Sequence, residues 1–110
     1  MSRWTVRLTD PAERDFARIL AWTADNFGDR QARVYEQTLT AALDALKAGP
    51  DVRGSAARDD VQAGLRVLHV SRSGRRGRHL LVYREAPGHM VAVLRILHDM
   101  MELELHFPEA

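Results

Sequence analysis

The chain lacks cysteine altogether, and it contains a single lysine, Lys47, and only two tyrosines. Without thiols it can form neither a disulfide framework nor a thiolate metal site. No apolar run approaches the roughly 20 residues that a membrane span requires. The first seven residues alternate in polarity, which a signal peptide does not do. We therefore expect a cytoplasmic protein with no membrane partner.

The composition is that of one folded domain. Apolar residues make up 45% and charged residues 28% of the 110 residues, a balance typical of globular proteins and not of disordered ones. Two domains of half this length would each be too small to bury a useful core. We see no internal repeat and no low-complexity tract. Residues 1–110 are therefore predicted to form one domain.

The net charge of +1 hides an uneven distribution. Residues 61–98 contain one acid, Glu85, and many arginines. These arginines are Arg66, Arg72, Arg75, Arg76, Arg78, Arg84 and Arg95. A segment of this kind favours an anionic partner. A general preference for arginine over lysine would explain the choice of cation, but it would not explain the missing acids.

The N-terminal half predicts a strand followed by a helical hairpin. Residues 4–8 alternate between apolar and polar side chains, as in a half-buried strand. Asp10 predicts the cap of a first helix, and Gly28 predicts its end. Asp29 predicts the cap of a second helix, which stops at the Gly-Pro pair of residues 49–50. Because the connection between the helices is so short, they must lie antiparallel.

The C-terminal half predicts strands. Residues 51–64 show little periodicity and predict a loop, and strands are predicted at residues 65–70, 79–85 and 90–97. The last of these is almost continuously apolar, which indicates a central strand covered on both faces. Apolar residues alternate with acids in the tail at 100–107, which predicts either a short helix or an edge strand. We favour the helix.

The order of elements is therefore β-α-α-β-β-β, with a short helix in the tail. This order predicts an α+β fold in which a four-stranded, mostly antiparallel sheet carries the N-terminal helical hairpin on one face. In this arrangement every predicted element can bury its apolar side.

Several short motifs occur along the chain in the order of these elements. They are Ala12-Glu13-Arg14-Asp15-Phe16, Phe27-Gly28, Gly64-Leu65-Arg66, Tyr83-Arg84, Leu97-His98 and His106-Phe107-Pro108. With them the chain resembles the RelE/ParE superfamily of toxins from type II toxin–antitoxin modules. The last three motifs make it more similar to ParE than to RelE. The resemblance covers almost the whole chain.

The resemblance implies a function and partners. A ParE-like toxin inhibits DNA gyrase and thereby replication, and it is neutralised by a ParD-like antitoxin with a ribbon-helix-helix DNA-binding half. The alternative is a RelE-like, ribosome-dependent mRNA endonuclease, with the ribosome and mRNA as partners. Neither function needs a small-molecule substrate or a cofactor. No HxxH or HExxH spacing occurs either, so we predict no metal site.

The connection at residues 71–78 is longer and more basic than the usual hairpin of ParE-like toxins. Guanidinium groups match phosphate and carboxylate geometry. The connection therefore predicts a surface that binds the toxin's target, and the alternative is a solvated hairpin tip. The predicted target-binding residues are Arg72, Arg75, Arg76, Arg78, Met101 and Leu105.

The second helix carries a second apolar stripe beside its core-facing one. A helix with two such stripes often receives a partner helix, although contact with the first helix or a homodimer interface would also use it. The predicted antitoxin-binding residues are Trp22, Phe27, Val34, Thr38, Ala41 and Ala45. The predicted target-binding and antitoxin-binding residues lie on separate surfaces. Replacing Arg75 and Arg76 by alanine, or truncating the chain after Met100, should therefore relieve growth arrest while antitoxin binding persists.

If the chain is a nuclease, its candidate catalytic residues are Arg66, Arg84, His79 and His98. The two histidines can meet across neighbouring strands, although a structural role is the more common one for such residues. The tail has no tyrosine to handle the proton of a 2′-hydroxyl, so the usual RelE-like set is incomplete. Arg95, inside an apolar strand, needs a partner; Glu85, Asp99 and the acidic tail are the candidates.

Overall fold

The computed structural model describes residues 3–107. Pro108, which completes the C-terminal motif quoted above, lies outside the described residues. The strands are β1 (Thr5–Leu8), β2 (Ala56–Ala57), β3 (Arg66–His69), β4 (His79–Ala86) and β5 (Met90–His98). The helices are α1 (Asp10–Phe27), α2 (Asp29–Ala45) and α3 (Leu103–His106), and one 3₁₀ turn (Leu46–Ala48) follows α2.

The strands form one mixed sheet in the order β1-β5-β4-β3-β2. β1 runs parallel to β5, and the other neighbouring strands are antiparallel. The α+β class is confirmed, but the prediction of four strands is wrong, because β2 adds a fifth strand within the segment expected to be a loop. Two residues are too few to show an alternating pattern. β2 exists because β3 offers an edge with which it can pair.

The helical hairpin forms as predicted, but its caps differ from the prediction. Thr9 caps α1, because its hydroxyl accepts the backbone N–H of Ala12 at 3.3 Å, and Asp10 is the first residue of the helix. A single residue, Gly28, separates the helices with φ of 92°, and no side chain caps α2. Asp29 therefore lies within the first turn, where its charge still favours the helix dipole.

Two hydrophobic cores cover the two faces of the sheet. The helical hairpin and the 3₁₀ turn after it bury one face, with residues such as Leu39 of α2 and Leu46 of the turn packed against Leu81 and Tyr83 of β4. The other face is covered by the segment before β3 and by α3, which contributes Leu103. The tail is thus a short helix, as favoured from the sequence. Among the described helices, none is both long and apolar enough to cross a membrane.

A buried carboxylate joins α1 to β5. β1 ends at Leu8, opposite Val93, whereas β5 continues to His98 without it. Beyond this point Asp15 of α1 takes the place of the missing strand. Its carboxylate accepts the backbone N–H of Ile96 at 3.0 Å, and it accepts the Nε and Nη2 groups of Arg95 at 2.7 and 3.0 Å.

Arg95 therefore has the structural partner that its position demands, but the partner is none of the acids expected from the sequence. Arg95 is opposite Val82, next to a register shift between Val82 and Tyr83, and its guanidinium group reaches Asp15 of α1. Asp15 lies 80 residues away along the chain, so nothing in the local sequence indicates the pairing.

We expect Asp15→Ala to lower the free energy of unfolding by about 2–3 kcal/mol, because it leaves a half-buried guanidinium and a buried N–H without their acceptor. Chemical denaturation followed by circular dichroism measures the change. Asp44→Ala is the matched control, since Asp44 is exposed and forms a surface ion pair with Lys47. Equal losses in the two variants would contradict the role assigned to Asp15.

Candidate functional site

A groove of about 980 Å³ lies between the helical hairpin and one end of the sheet. α1 and α2 form one wall. The connection between β3 and β4 forms the other wall, and the ends of β4 and β5 form the floor. The groove is open to solvent along its length. Its size and openness suit a segment of polypeptide or nucleic acid better than an enclosed small molecule.

The helical wall is apolar and unusually exposed. Trp22 and Phe27 are 60% and 64% exposed, and their rings meet edge to face with centroids 5.7 Å apart. Val34 of α2 and Met101 at the far end of the groove are also exposed. Large apolar side chains clustered in this way mark an interaction surface.

The opposite wall is cationic. Arg75, Arg76 and Arg78 line it, and Arg18 reaches the groove from α1. No aspartate or glutamate is among the lining residues within the described chain. Arg78 pairs with Asp99 at 3.1 Å, whereas Arg18, Arg75 and Arg76 have no acidic partner between residues 3 and 107. Three unneutralised guanidinium groups therefore face the groove.

Tyr35 holds the connection against the groove. Its hydroxyl accepts the backbone N–H of Arg78 at 3.2 Å. Gly77 packs so closely that a Cβ atom there would lie 2.7 Å from the same hydroxyl and 2.6 Å from Val70. Only glycine therefore allows the backbone to pass this point. A turn in which Arg75 N–H donates to Arg72 O at 3.0 Å then presents Arg75 and Arg76.

Tyr35 of the helical wall and two histidines of the floor form a row of contacts. The Tyr35 hydroxyl and His79 Nδ1 are 2.6 Å apart. Because Arg78 donates to that hydroxyl, Tyr35 can donate its own proton to His79. His79 pairs with His98 in the β4–β5 register, with ring centroids 5.4 Å apart, so the predicted contact across strands is confirmed.

Burial determines the protonation of this floor. Burial, with a smaller electrostatic contribution from the neighbouring His98, lowers the pKa of His79 to about 4. Burial also raises the pKa of Tyr35. At neutral pH both groups are uncharged, so Tyr35 and His79 add hydrogen-bonding capacity to the groove without adding charge.

Asp99 ties the end of β5 to the cationic connection. It accepts Arg78 Nε and, at 3.0 Å, His69 Nε2. The backbone N–H of Ser71 donates to His69 Nδ1, so the ring proton lies on Nε2. The hydrogen bond from Arg78 is the main cause that lowers the pKa of Asp99 to about 2. Asp99 thus neutralises Arg78 and leaves the other arginines of the groove unpaired.

The structure brings only part of the predicted antitoxin-binding set together. Trp22, Phe27, Val34 and Thr38 line the groove. Ala41 lines a shallow cavity on the outer face of α2, and Ala45 packs against the helical-side core. The stripe therefore continues along α2 beyond the residues that line the groove.

The predicted target-binding set is divided in the same way. Arg75, Arg76, Arg78 and Met101 line the groove. Arg72 instead donates to the carbonyl of Arg53 at 2.8 Å. Leu105 lies on α3, where it is 75% exposed and outside the groove. The sequence assigned target and antitoxin to two surfaces, and the structure places most of both sets around one groove.

The candidate nuclease residues are not brought together. His79 and His98 lie on the floor of the groove. Arg66 and Arg84 line a separate cavity of about 480 Å³, where Arg66 donates to the Pro50 carbonyl and to the Ser55 hydroxyl, both at 2.8 Å. Among residues 3–107 no group of histidines and acids could hold a metal ion.

Sequence reasoning missed Arg18, Tyr35, Gly77 and Asp99 as members of the site. Arg18 and Trp22 are four residues apart, and this spacing places them on one face of α1. That signal was available in the sequence. The roles of the other three depend on contacts between elements distant in the chain, which no local pattern reveals.

Comparison with known proteins supports one family. Residues 6–103 match the family model of the ParE toxin of the type II toxin–antitoxin system parDE. Two relatives named Toxin ParE1, from two strains of Mycobacterium tuberculosis, are 30% identical over 97 residues, which covers 88% of this chain and 91% of each relative.

Two solved structures share the fold. One is described as a chromosomal ParDE toxin–antitoxin system from P. aeruginosa; it aligns with a TM-score of 0.71 and 21% identity over 86% of this chain and 95% of its own. The other is the RelBE2 toxin–antitoxin complex from Mycobacterium tuberculosis, with a TM-score of 0.59 and 26% identity over 87% of this chain and 98% of its own.

We expect His79 to stay neutral until the pH falls to about 4. An imidazole in the unfolded chain titrates near 6.5. Between pH 6.5 and 4, His79 is therefore protonated in the unfolded chain but stays neutral in the folded chain. Stability is therefore fully present above about pH 6.5 and declines as the pH falls towards 4. NMR titration of the imidazole resonances measures this.

The variant His79→Gln serves as the control for this titration. It identifies the His79 resonance by its loss, and its stability should depend less on pH between 6.5 and 4. A His79 resonance that titrates near 6.5 in the folded protein would show that burial does not keep the ring neutral.

Proposed function

Because the chain belongs to the ParE toxin family of type II toxin–antitoxin systems, we propose that it inhibits DNA gyrase and thereby blocks replication. In this proposal a ParD-like antitoxin neutralises it. The toxin acts by binding other macromolecules and has no active site of its own. Since gyrase and the DNA it acts on are in the cytoplasm, this is where it would work.

The groove is the observation that supports this proposal best. It combines an exposed aromatic pair, Trp22 and Phe27, with guanidinium groups that lack acidic partners within the described chain. Exposed aromatics with arginine are the residues that dominate binding energy at interfaces. A cationic wall also suits acidic protein surfaces and the phosphates of gyrase-bound DNA.

An antitoxin partner is supported by the relatives. Both solved structures named above are toxin–antitoxin systems or complexes. Our proposal goes further in the type of antitoxin: a ribbon-helix-helix protein that dimerises on DNA through one half and covers the toxin with the other. A complex of the two would then repress its own operon.

A second candidate is ribosome-dependent cleavage of mRNA. The contact of Tyr35, His79 and His98 on the floor of a cationic groove favours it, because such groups can transfer protons. The pKa of about 4 at His79 argues against it, since a base that weak removes protons poorly at neutral pH. Arg66 and Arg84, the other predicted members, lie in a different cavity.

Induced expression separates the two functions. We expect DNA breaks and a DNA-damage response while mRNA remains intact, because a gyrase inhibitor traps cleaved DNA. Gel electrophoresis of the DNA measures the breaks, and RNA sequencing of the same cultures measures whether the mRNA is intact. mRNA cut within codons before any DNA break appears would instead establish the endonuclease.

The variant His79→Gln/His98→Gln is the matched control for this experiment. An endonuclease that uses these histidines would lose mRNA cleavage in this variant, whereas the DNA breaks expected of a gyrase inhibitor require no proton transfer from them. Truncation after Met100 is a poor test, because Leu103 is only 5% exposed in the second core and its removal would destabilise the fold.

A further inference from the structure

The outer face of α2 carries a shallow cavity of about 450 Å³ that the proposed function does not use. The residues that line it are Arg33, Glu36, Gln37, Thr40, Ala41 and Asp44. None of them is among the residues that line the groove. A partner bound in this cavity would therefore not occupy the groove.

Four exposed polar residues form a row along the middle of this face. They are Arg33, Gln37, Thr40 and Asp44. Their spacing of four, three and four residues places them above one another on one side of the helix. Arg33 and Asp44, at the two ends of the row, are three helical turns or about 16 Å apart. The polar row is thus cationic towards the N-terminus of α2 and anionic towards its C-terminus.

This order of charges is complementary to itself. Two copies of α2 can lie antiparallel across a twofold axis that passes midway between Gln37 and Thr40. Arg33 of each chain then faces Asp44 of the other, and Gln37 of each chain faces Thr40 of the other. Such an arrangement forms an ion pair at each end of the row and places hydrogen-bonding side chains opposite each other in the middle.

The charges at the ends of the polar row are available to a partner. No ion pair between residues 3 and 107 engages Arg33. Asp44 accepts Lys47 through Oδ1 at 2.7 Å, and a carboxylate can accept donors at both of its oxygens. Asp44 also lies in the last turn of α2, where the helix dipole disfavours an anion. An antiparallel partner brings the positive end of its own helix dipole to this position.

The size of this face determines how strong such an association can be. Stable interfaces bury roughly 800 Å² on each partner, which is more than one side of a single helix provides. Exposed ion pairs are also screened by salt. We therefore expect association at high protein concentration, and more of it at low salt than at high salt.

We propose that the outer face of α2 is a self-association surface, which joins two copies of this chain in an antiparallel, twofold dimer. The grooves of the two copies stay open, because their lining residues take no part in the contact. The proposal does not rest on the proposed function, since it names neither a target nor an antitoxin. If the chain does act as proposed, the dimer presents two grooves related by a twofold axis.

Reversal of one charge at a time tests the dimer. Sedimentation velocity would compare the unmodified chain with Arg33→Glu and with Asp44→Arg, over a series of concentrations at low and high salt. The average mass of the unmodified chain should rise with concentration towards twice that of a single chain. Each variant should stay monomeric at the same concentrations, because each places two like charges opposite one another.

Two combinations restore the complementary charges. An equimolar mixture of the two single variants can form a mixed dimer with opposite charges at both ends of the row. The double variant Arg33→Glu/Asp44→Arg can do the same with itself. Both samples should associate as the unmodified chain does. Arg14→Glu makes the same change of charge on an exposed part of α1 outside the cavity, and it should leave association unchanged. Circular dichroism checks that each variant is folded.

Three outcomes would overturn the proposal. The unmodified chain could stay monomeric at the highest concentration and lowest salt. Both single variants could still dimerise, which would place the contact elsewhere. The mixture could associate no more than its separate components. None of these measurements involves gyrase, DNA or an antitoxin, so a failure of the dimer and a failure of the proposed function are separate results.

Discussion

The carboxylate of Asp15 is the contact on which the geometry of the site depends. It holds α1 against β5 at the point where β1 has already ended, by accepting the Ile96 N–H and the Arg95 guanidinium. Arg18 and Trp22 follow Asp15 at helical spacing. The distance between the helical wall and the sheet is therefore set by a contact one to two turns away from the groove. A hairpin tilted off the sheet here would widen the groove and separate its two walls.

The cationic wall is positioned by a second set of contacts, from three parts of the chain. Tyr35 of α2 accepts the Arg78 N–H, Asp99 after β5 accepts the Arg78 side chain, and Gly77 allows the close approach of backbone and ring. A connection that from sequence alone could be a mobile, solvated loop is thereby anchored at its C-terminal end. Its turn presents Arg75 and Arg76, and no hydrogen bond or ion pair from residues 3–107 engages either side chain. The arginines are thus held near the groove while their charges stay available.

Local sequence patterns predicted the helices and most of the strands. The features that they did not predict depend on contacts between residues far apart in the chain. Alternation and capping signals located β1 and the hairpin, and the antiparallel pairing of β4 with β5 made the meeting of His79 and His98 foreseeable. β2 was missed because a two-residue strand is created by its neighbour and has no pattern of its own. The partner of Arg95 was missed for a related reason: the choice between Asp15 and several other acids depends on how α1 crosses the sheet. The site was predicted in its residue types, but the sharing of one groove required the fold.

The missing acids of residues 61–98 have a physical explanation in this fold. The one acid of that segment, Glu85, lies at the other end of the sheet beside Arg66 and Arg84. An acid among the lining residues of the groove would pair with Arg75 or Arg76, as Asp99 pairs with Arg78, and would neutralise the surface from within. The exposed rings of Trp22 and Phe27 are unfavourable for the protein by itself, since exposed apolar surface lowers its solubility. Neither the absence of acids from the groove nor the exposed aromatic rings is required for a stable, soluble fold, and single substitutions would remove each of them. Their coincidence in one groove marks it as an interaction surface.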